Sequence, residues 1–191
     1  EWRILHTART VDLDLAEAAV RTALGMPPAP RYAEALESVG AGVSFGGSRH
    51  TTGFSTYSLV EDLDLVLDIA ADALCRPTFP AEHVERVRGQ TVTGLQMRAN
   101  DPRSMARLTF FETAYGDHPY GRSVSGYEAT VAALGRDDVH DFHARYYGPH
   151  EMIIGLVGAI RADEALRKLA AVFGGWRNDA QQPIQFAPEA P

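Results

Sequence analysis

Midway through its first half the chain changes hydrophobic rhythm, and that change limits the folds open to it. Between Gly40 and Ser58, the residues Val43, Phe45, Phe54, Thr56 and Tyr57 stand among serines, threonines and glycines. β-Branched and aromatic residues mixed with turn formers predict two strands, joined near Gly47-Ser-Arg49-His50. From Leu59 to Leu74 the apolar positions Leu63, Val66, Leu67, Ala70 and Leu74 recur at three- and four-residue steps, the period of a helix. At least one hairpin is expected beside the helices. The chain is therefore neither all-helical nor all-strand.

The remaining pattern is mostly helical. Glu1 to Asp12 reads as a strand or extended arm, and Leu13 to Leu24 as a helix stopped by Gly25 and the prolines that follow. Arg31 to Val39 reads as a second helix, closed by Gly40. After Pro77 and Pro80, Ala81 to Arg98 forms a long helix, and Asp101-Pro102 caps another over Arg103 to Ala114. Tyr115 to Gly121 is a turn-rich loop, and two short helices follow, over Tyr127–Leu134 and Arg136–Tyr146. Met152 to Gly158 is the most apolar strand, apolar enough for the centre of a sheet. Asp163 to Phe173 is the last helix. Strands and helices do not alternate regularly, so a doubly wound parallel sheet is not expected. The fold class expected is α+β, with helices packed on one face of a largely antiparallel sheet. Residues 1–177 read as a single domain and 178–191, rich in Gln, Pro and Ala, as an extended tail.

Composition narrows function by exclusion. The 191 residues are 45% hydrophobic and 23% charged, as in ordinary globular chains. No run approaches the ~18 apolar residues of a membrane span. A net charge of −7 argues against nucleic acid, which is bound largely through Lys and Arg on its phosphates. The single cysteine, Cys75, reads as a small buried hydrophobe and fits a reducing compartment, the cytoplasm.

Motifs that imitate sites are explained more simply. His140 and His143 share a helix one turn apart, with Asp137 and Asp138 before them. The acids read as an N-terminal cap and Phe142 and Tyr146 claim the inward face, so a metal is not expected there. Gly40-Ala-Gly42-Val-Ser-Phe-Gly46 follows a helix and enters a strand, the reverse of a dinucleotide-binding loop. Gly53-Phe-Ser55-Thr-Tyr57 lacks the second glycine of a nucleophile elbow and reads as strand. Arg49, His50 and Arg122 read as solvated loop residues.

A series of segments in order resembles the pitrilysin/insulinase metallopeptidases. The series begins with Ala33-Glu-Ala-Leu-Glu-Ser-Val-Gly40 and Leu63 to Leu74 with Pro77-x-Phe79. It continues with Asp101-Pro102, His118-Pro-Tyr-Gly-Arg122 and Ser125-Gly126. Phe142-x-x-x-Tyr146-Tyr147-x-Pro149, Ile153 to Gly158 and Phe173-Gly-Gly-Trp176 complete it. The resemblance spans Leu13 to Trp176 and implies an α+β domain of the pitrilysin and mitochondrial-processing-peptidase kind, one of a pair closing around extended peptides. It also implies an inverted zinc motif, His-x-x-Glu-His, with a downstream glutamate as third ligand. Here the motif positions hold Glu17, Val20 and Arg21, and the third falls near Gly94, with no Asp or Glu between Glu85 and Asp101. A guanidinium has no lone pair for a metal. The zinc motif is degenerate, so no catalytic residue and no zinc are expected in this chain.

The resemblance implies a non-catalytic subunit of a hetero-oligomer, completing a peptide chamber with a zinc-bearing partner. Two alternatives stay open: a structural core subunit of a larger assembly, and an autonomous zinc peptidase with other ligands. In the resembling family the strand corresponding to Val43–Gly47 can pair with substrate, which makes Ser44, Phe45 and Gly46 the candidate peptide contacts. Family members carry several strands before the motif helix, whereas about a dozen residues precede Leu13. A shortened chain, a missing part of the sheet or a partner's contribution is expected to account for this.

Overall fold

The computed structural model describes residues 3–5, 30–48 and 50–183. The first helix of the sequence reading, Leu13–Leu24, and positions Glu17, Val20 and Arg21 lie outside the described residues.

Strand β1 (Arg3–Leu5) precedes helix α1 (Pro30–Ser38). α1 ends where Gly40 adopts φ +63°, and the Ala41 amide returns to the Leu36 carbonyl at 2.9 Å. A left-handed residue here closes the helix at no steric cost only if it is glycine. The chain then forms the predicted hairpin, β2 (Gly42–Gly47) and β3 (Thr52–Tyr57), in register from Gly42↔Tyr57 to Gly47↔Thr52. Thr52, Phe54 and Thr56 are buried while Ser55 and Tyr57 are exposed, the alternation of a strand with one wet face.

Helix α2 (Leu63–Cys75) fills the inner face. Val66 and Ala70 have no exposed surface, and Leu63, Leu67, Ile69, Ala71 and Leu74 are also buried. α2 is thus the centre of the molecule, with the hairpin on one side and helix α7 (Ala162–Phe173) on another. Phe54, Phe79, Val84, Val139, Phe142, Tyr146, Tyr147 and Phe173 surround its C-terminal half. Phe79, buried, turns the chain at φ +44° between two prolines, and Arg136 clamps this turn by donating through Nε to the Phe79 carbonyl at 2.8 Å.

Helices α3 (Ala81–Ala99), α4 (Pro102–Tyr115), α5 (Glu128–Ala133) and α6 (Arg136–Tyr146) complete the helical layer. A small satellite core of Leu95, Val131 and Leu134 joins α3 to α5. α4 buries no residue fully and lies outermost. Among the described residues, helix bounds fall within one residue of those expected, except that α2 begins at Leu63, four residues after the expected Leu59, behind a single 3-10 turn over Val60–Asp62. The α+β class with helices on one face of an antiparallel sheet holds.

One strand departs from expectation. β4 (Ile153–Gly155) covers three residues and pairs, among the described residues, only with β1, antiparallel with Ile154 opposite Ile4. Ile153 and Val157 are 63% and 71% exposed, so one face of this strand is wet. An apolar run states that burial would be favourable but does not fix how many strands flank it. β1 also lies next to β3, so the two ribbons adjoin. The segment after Trp176 does not leave at once: Asn178 Nδ2 donates to the Ala144 and Tyr147 carbonyls at 2.7 and 2.6 Å, and the Gln182 amide to Arg145.

Candidate peptide-binding edge

β2 presents an open edge of backbone groups among the described residues. Its inner side is bonded to β3, and no strand pairs with its other side among the described residues. An antiparallel strand directs alternate amide and carbonyl groups to either neighbour, so about half of those in β2 face outward. A row of this kind can take up an extended chain by main-chain hydrogen bonds.

The three candidate residues divide by face. Phe45 turns inward, half-buried, its ring 5.9 Å from that of Phe54. Ser44 is on the outer face, where its Oγ lies 2.9 Å from Ser55 Oγ, a cross-strand pair that holds the ladder. Gly46 is exposed, and a Cβ there would meet nothing within 4 Å. Any pairing with peptide therefore rests on the backbone of these residues, not on their side chains. The exposed Tyr57 ring lies across Gly42, 2.5 Å from where a Cβ would sit, so a side chain there would have to turn that ring aside.

The metal question turns on α3. Gly94 is exposed on that helix, offers no donor atom, and its only carboxylates are Glu82 and Glu85 near the start. The residue does not fit a zinc ligand. His140 and His143 are not brought together either. His143 donates through Nε2 to the Leu74 carbonyl at 2.8 Å and stacks on Tyr147 at 4.8 Å, while His140 is exposed beside Asp141. Asp138 accepts from the Gly135 amide at 2.8 Å, the capping role expected of it. No group of three potential ligands occurs among the described residues.

The sequence reading missed one contact. His50 is not a solvated loop residue alone: its Nε2 lies 3.1 Å from the Tyr120 hydroxyl, across seventy positions of chain. Arg122 is exposed, and Arg49 lies outside the described residues.

Comparison with known families places this geometry. Residues 25–128 match the model of the insulinase peptidases, family M16, and residues 133–191 match that of the M16 inactive domain. The chain belongs to the insulinase family. An uncharacterised zinc protease of Mycobacterium leprae is 30% identical over 142 residues, 74% of this chain and 32% of that protein. A probable mitochondrial-processing peptidase subunit beta of Arabidopsis thaliana is 22% identical over 158 residues, 83% of this chain and 30% of that one. The solved M16 inactive domain of Pseudomonas fluorescens superposes with a TM-score of 0.83 at 22% identity, covering 99% of this chain and 48% of that one. This insulinase-family chain thus spans about a third of the length of the curated relatives it matches.

Proposed function

We propose that this chain is a non-catalytic insulinase-family subunit that holds an extended peptide along β2 beside a zinc-bearing partner. The partner supplies the metal and the general base, and the two together enclose the peptide. The side of β2 that is open among the described residues is the observation that carries this reading, because strand addition needs an unpaired row of backbone groups and little else. The ligand positions support the non-catalytic half. Gly94 has nothing to coordinate with, and Arg21 is a cation at a site meant for one. A relative whose name describes a beta subunit supports the expectation of a partner.

Two measurements on the purified chain test this. Metal analysis after dialysis against zinc should find far less than one ion per chain, with no cleavage of a fluorogenic peptide. Affinity purification from the native host should bring down a protein carrying His-x-x-Glu-His. Stoichiometric zinc together with cleavage by the isolated chain would overturn the proposal, and recovery only with a large non-peptidase complex would replace it by a structural role.

A further inference from the structure

The hairpin that carries the candidate edge is weakest at its tip. The last two pairs of the ladder, Gly46↔Gly53 and Gly47↔Thr52, contain three glycines. Glycine adds no cross-strand contact and loses the most backbone freedom on ordering. Beyond them the turn is held by short-range bonds, the Ser48 amide to the Thr51 carbonyl at 2.7 Å and Ser48 Oγ to Thr51 Oγ1 at 2.9 Å.

An aromatic prop compensates. Besides the 3.1 Å contact, the His50 and Tyr120 rings meet edge to face, centroids 5.4 Å apart at 83°. Tyr120 is fixed from behind. Its amide donates to His118 Nδ1 at 3.1 Å, and its ring meets Tyr115 at 5.7 Å and 80°. Tyr115 stacks in turn on Phe111 of α4 at 6.0 Å and 8°. The backbone here is close-packed, since a Cβ on Gly121 would come 2.6 Å from the Gly116 carbonyl. Arg98 of α3 anchors the far end of the same loop, donating to Ser123 Oγ at 2.8 Å and the Gly126 carbonyl at 3.2 Å.

We propose that Tyr120 is a positioning residue for the peptide edge: through His50 it holds the hairpin tip, and with it the outer side of β2, against the α4–α5 loop. This rests on the reading of β2 as the peptide-binding strand. A strand that must be ordered when peptide arrives loses affinity to that ordering, and a brace built into the fold removes the loss beforehand.

The test uses the whole chain and a fluorescein-labelled peptide of alternating Val and Thr with a lysine at each end, read by anisotropy. Tyr120→Phe keeps the ring and removes the hydroxyl. It should weaken binding ~3- to ~10-fold, the range of one hydrogen bond. The melting temperature should stay close to wild type while amide exchange over Ser44–Gly47 quickens. His50→Ala should match it, the double substitution should be no worse than either single one, and His50→Gln, which can still reach the hydroxyl, should restore binding. Wild-type affinity in both Tyr120→Phe and His50→Ala would retain the edge and overturn the brace. A wild-type chain that does not bind the peptide would overturn both.

Discussion

Thr56 shows how little a strand's pattern says about polar detail. It lies on the buried face of β3 with 3% of its surface exposed, and its hydroxyl has no hydrogen-bond partner among the described residues. A buried, unpaired hydroxyl costs about 1–3 kcal/mol, so Thr56→Val should raise stability by ~1 kcal/mol in urea titration, an outcome opposite to that of most core substitutions. Tyr147 is also buried, and burial drives its phenol well above its usual range while the neighbouring Thr52 hydroxyl pulls it back. Cys75 follows the same physics. Burial raises its thiol to about 11, with Arg76 opposing and Asp72 reinforcing. At neutral pH it is a thiol and not a thiolate, so maleimide should label the folded chain far more slowly than the urea-unfolded one. The folded pKa lies above the ordinary 9.0, so the unfolded chain releases this proton first. Stability should therefore fall as pH rises from about 9 to about 11, followed by thermal melts across that window, and Cys75→Ala should flatten the slope.

At the scale of elements, what is locally encoded was readable and what depends on neighbours was not. Helix α4 illustrates the first case. Asp101 Oδ2 accepts from the Ser104 amide at 3.1 Å and Pro102 occupies the first turn, as the Asp-Pro pair implied. Hydrogen bonds from Ser104 hold the Asp101 carboxyl below its usual value. Its stabilising effect is therefore present above the ordinary carboxylate pKa and is lost as pH falls through the lower folded one. Asp101→Ala should lower the melting temperature at pH 7 and have little effect below pH ~3, and α4 should show it first because it buries no residue fully. Strand β4 illustrates the second case. Its apolar composition marks it as strand, yet its exposed Ile153 and its pairing with β1 depend on which chain segments come alongside, information no residue of the strand contains.

On the scale of the molecule, the net charge of −7 and the exposed helical side place no binding surface by themselves. The candidate surface emerges from the sheet: a hairpin packed by Phe54 and Phe45 onto α2, with β2 bonded on one side and, among the described residues, open on the other. Ser44, Phe45 and Gly46 could be named from family resemblance, but only the fold shows that Phe45 faces inward and that Ser44 is engaged with Ser55. In the same way, two histidines one turn apart gave a spacing compatible with a metal. Packing sends His143 to the Leu74 carbonyl and leaves His140 in solvent.

The sequence by itself determined the kind of elements, their order, the helix caps and the absence of a donor at Gly94, because each depends on residues within a few positions of one another. Tertiary structure alone decided which side of β2 pairs with β3, that β4 pairs with β1 and how His50 reaches Tyr120. Those outcomes depend on contacts between segments far apart in the chain, whose free energies belong to pairs of surfaces and are written in neither one.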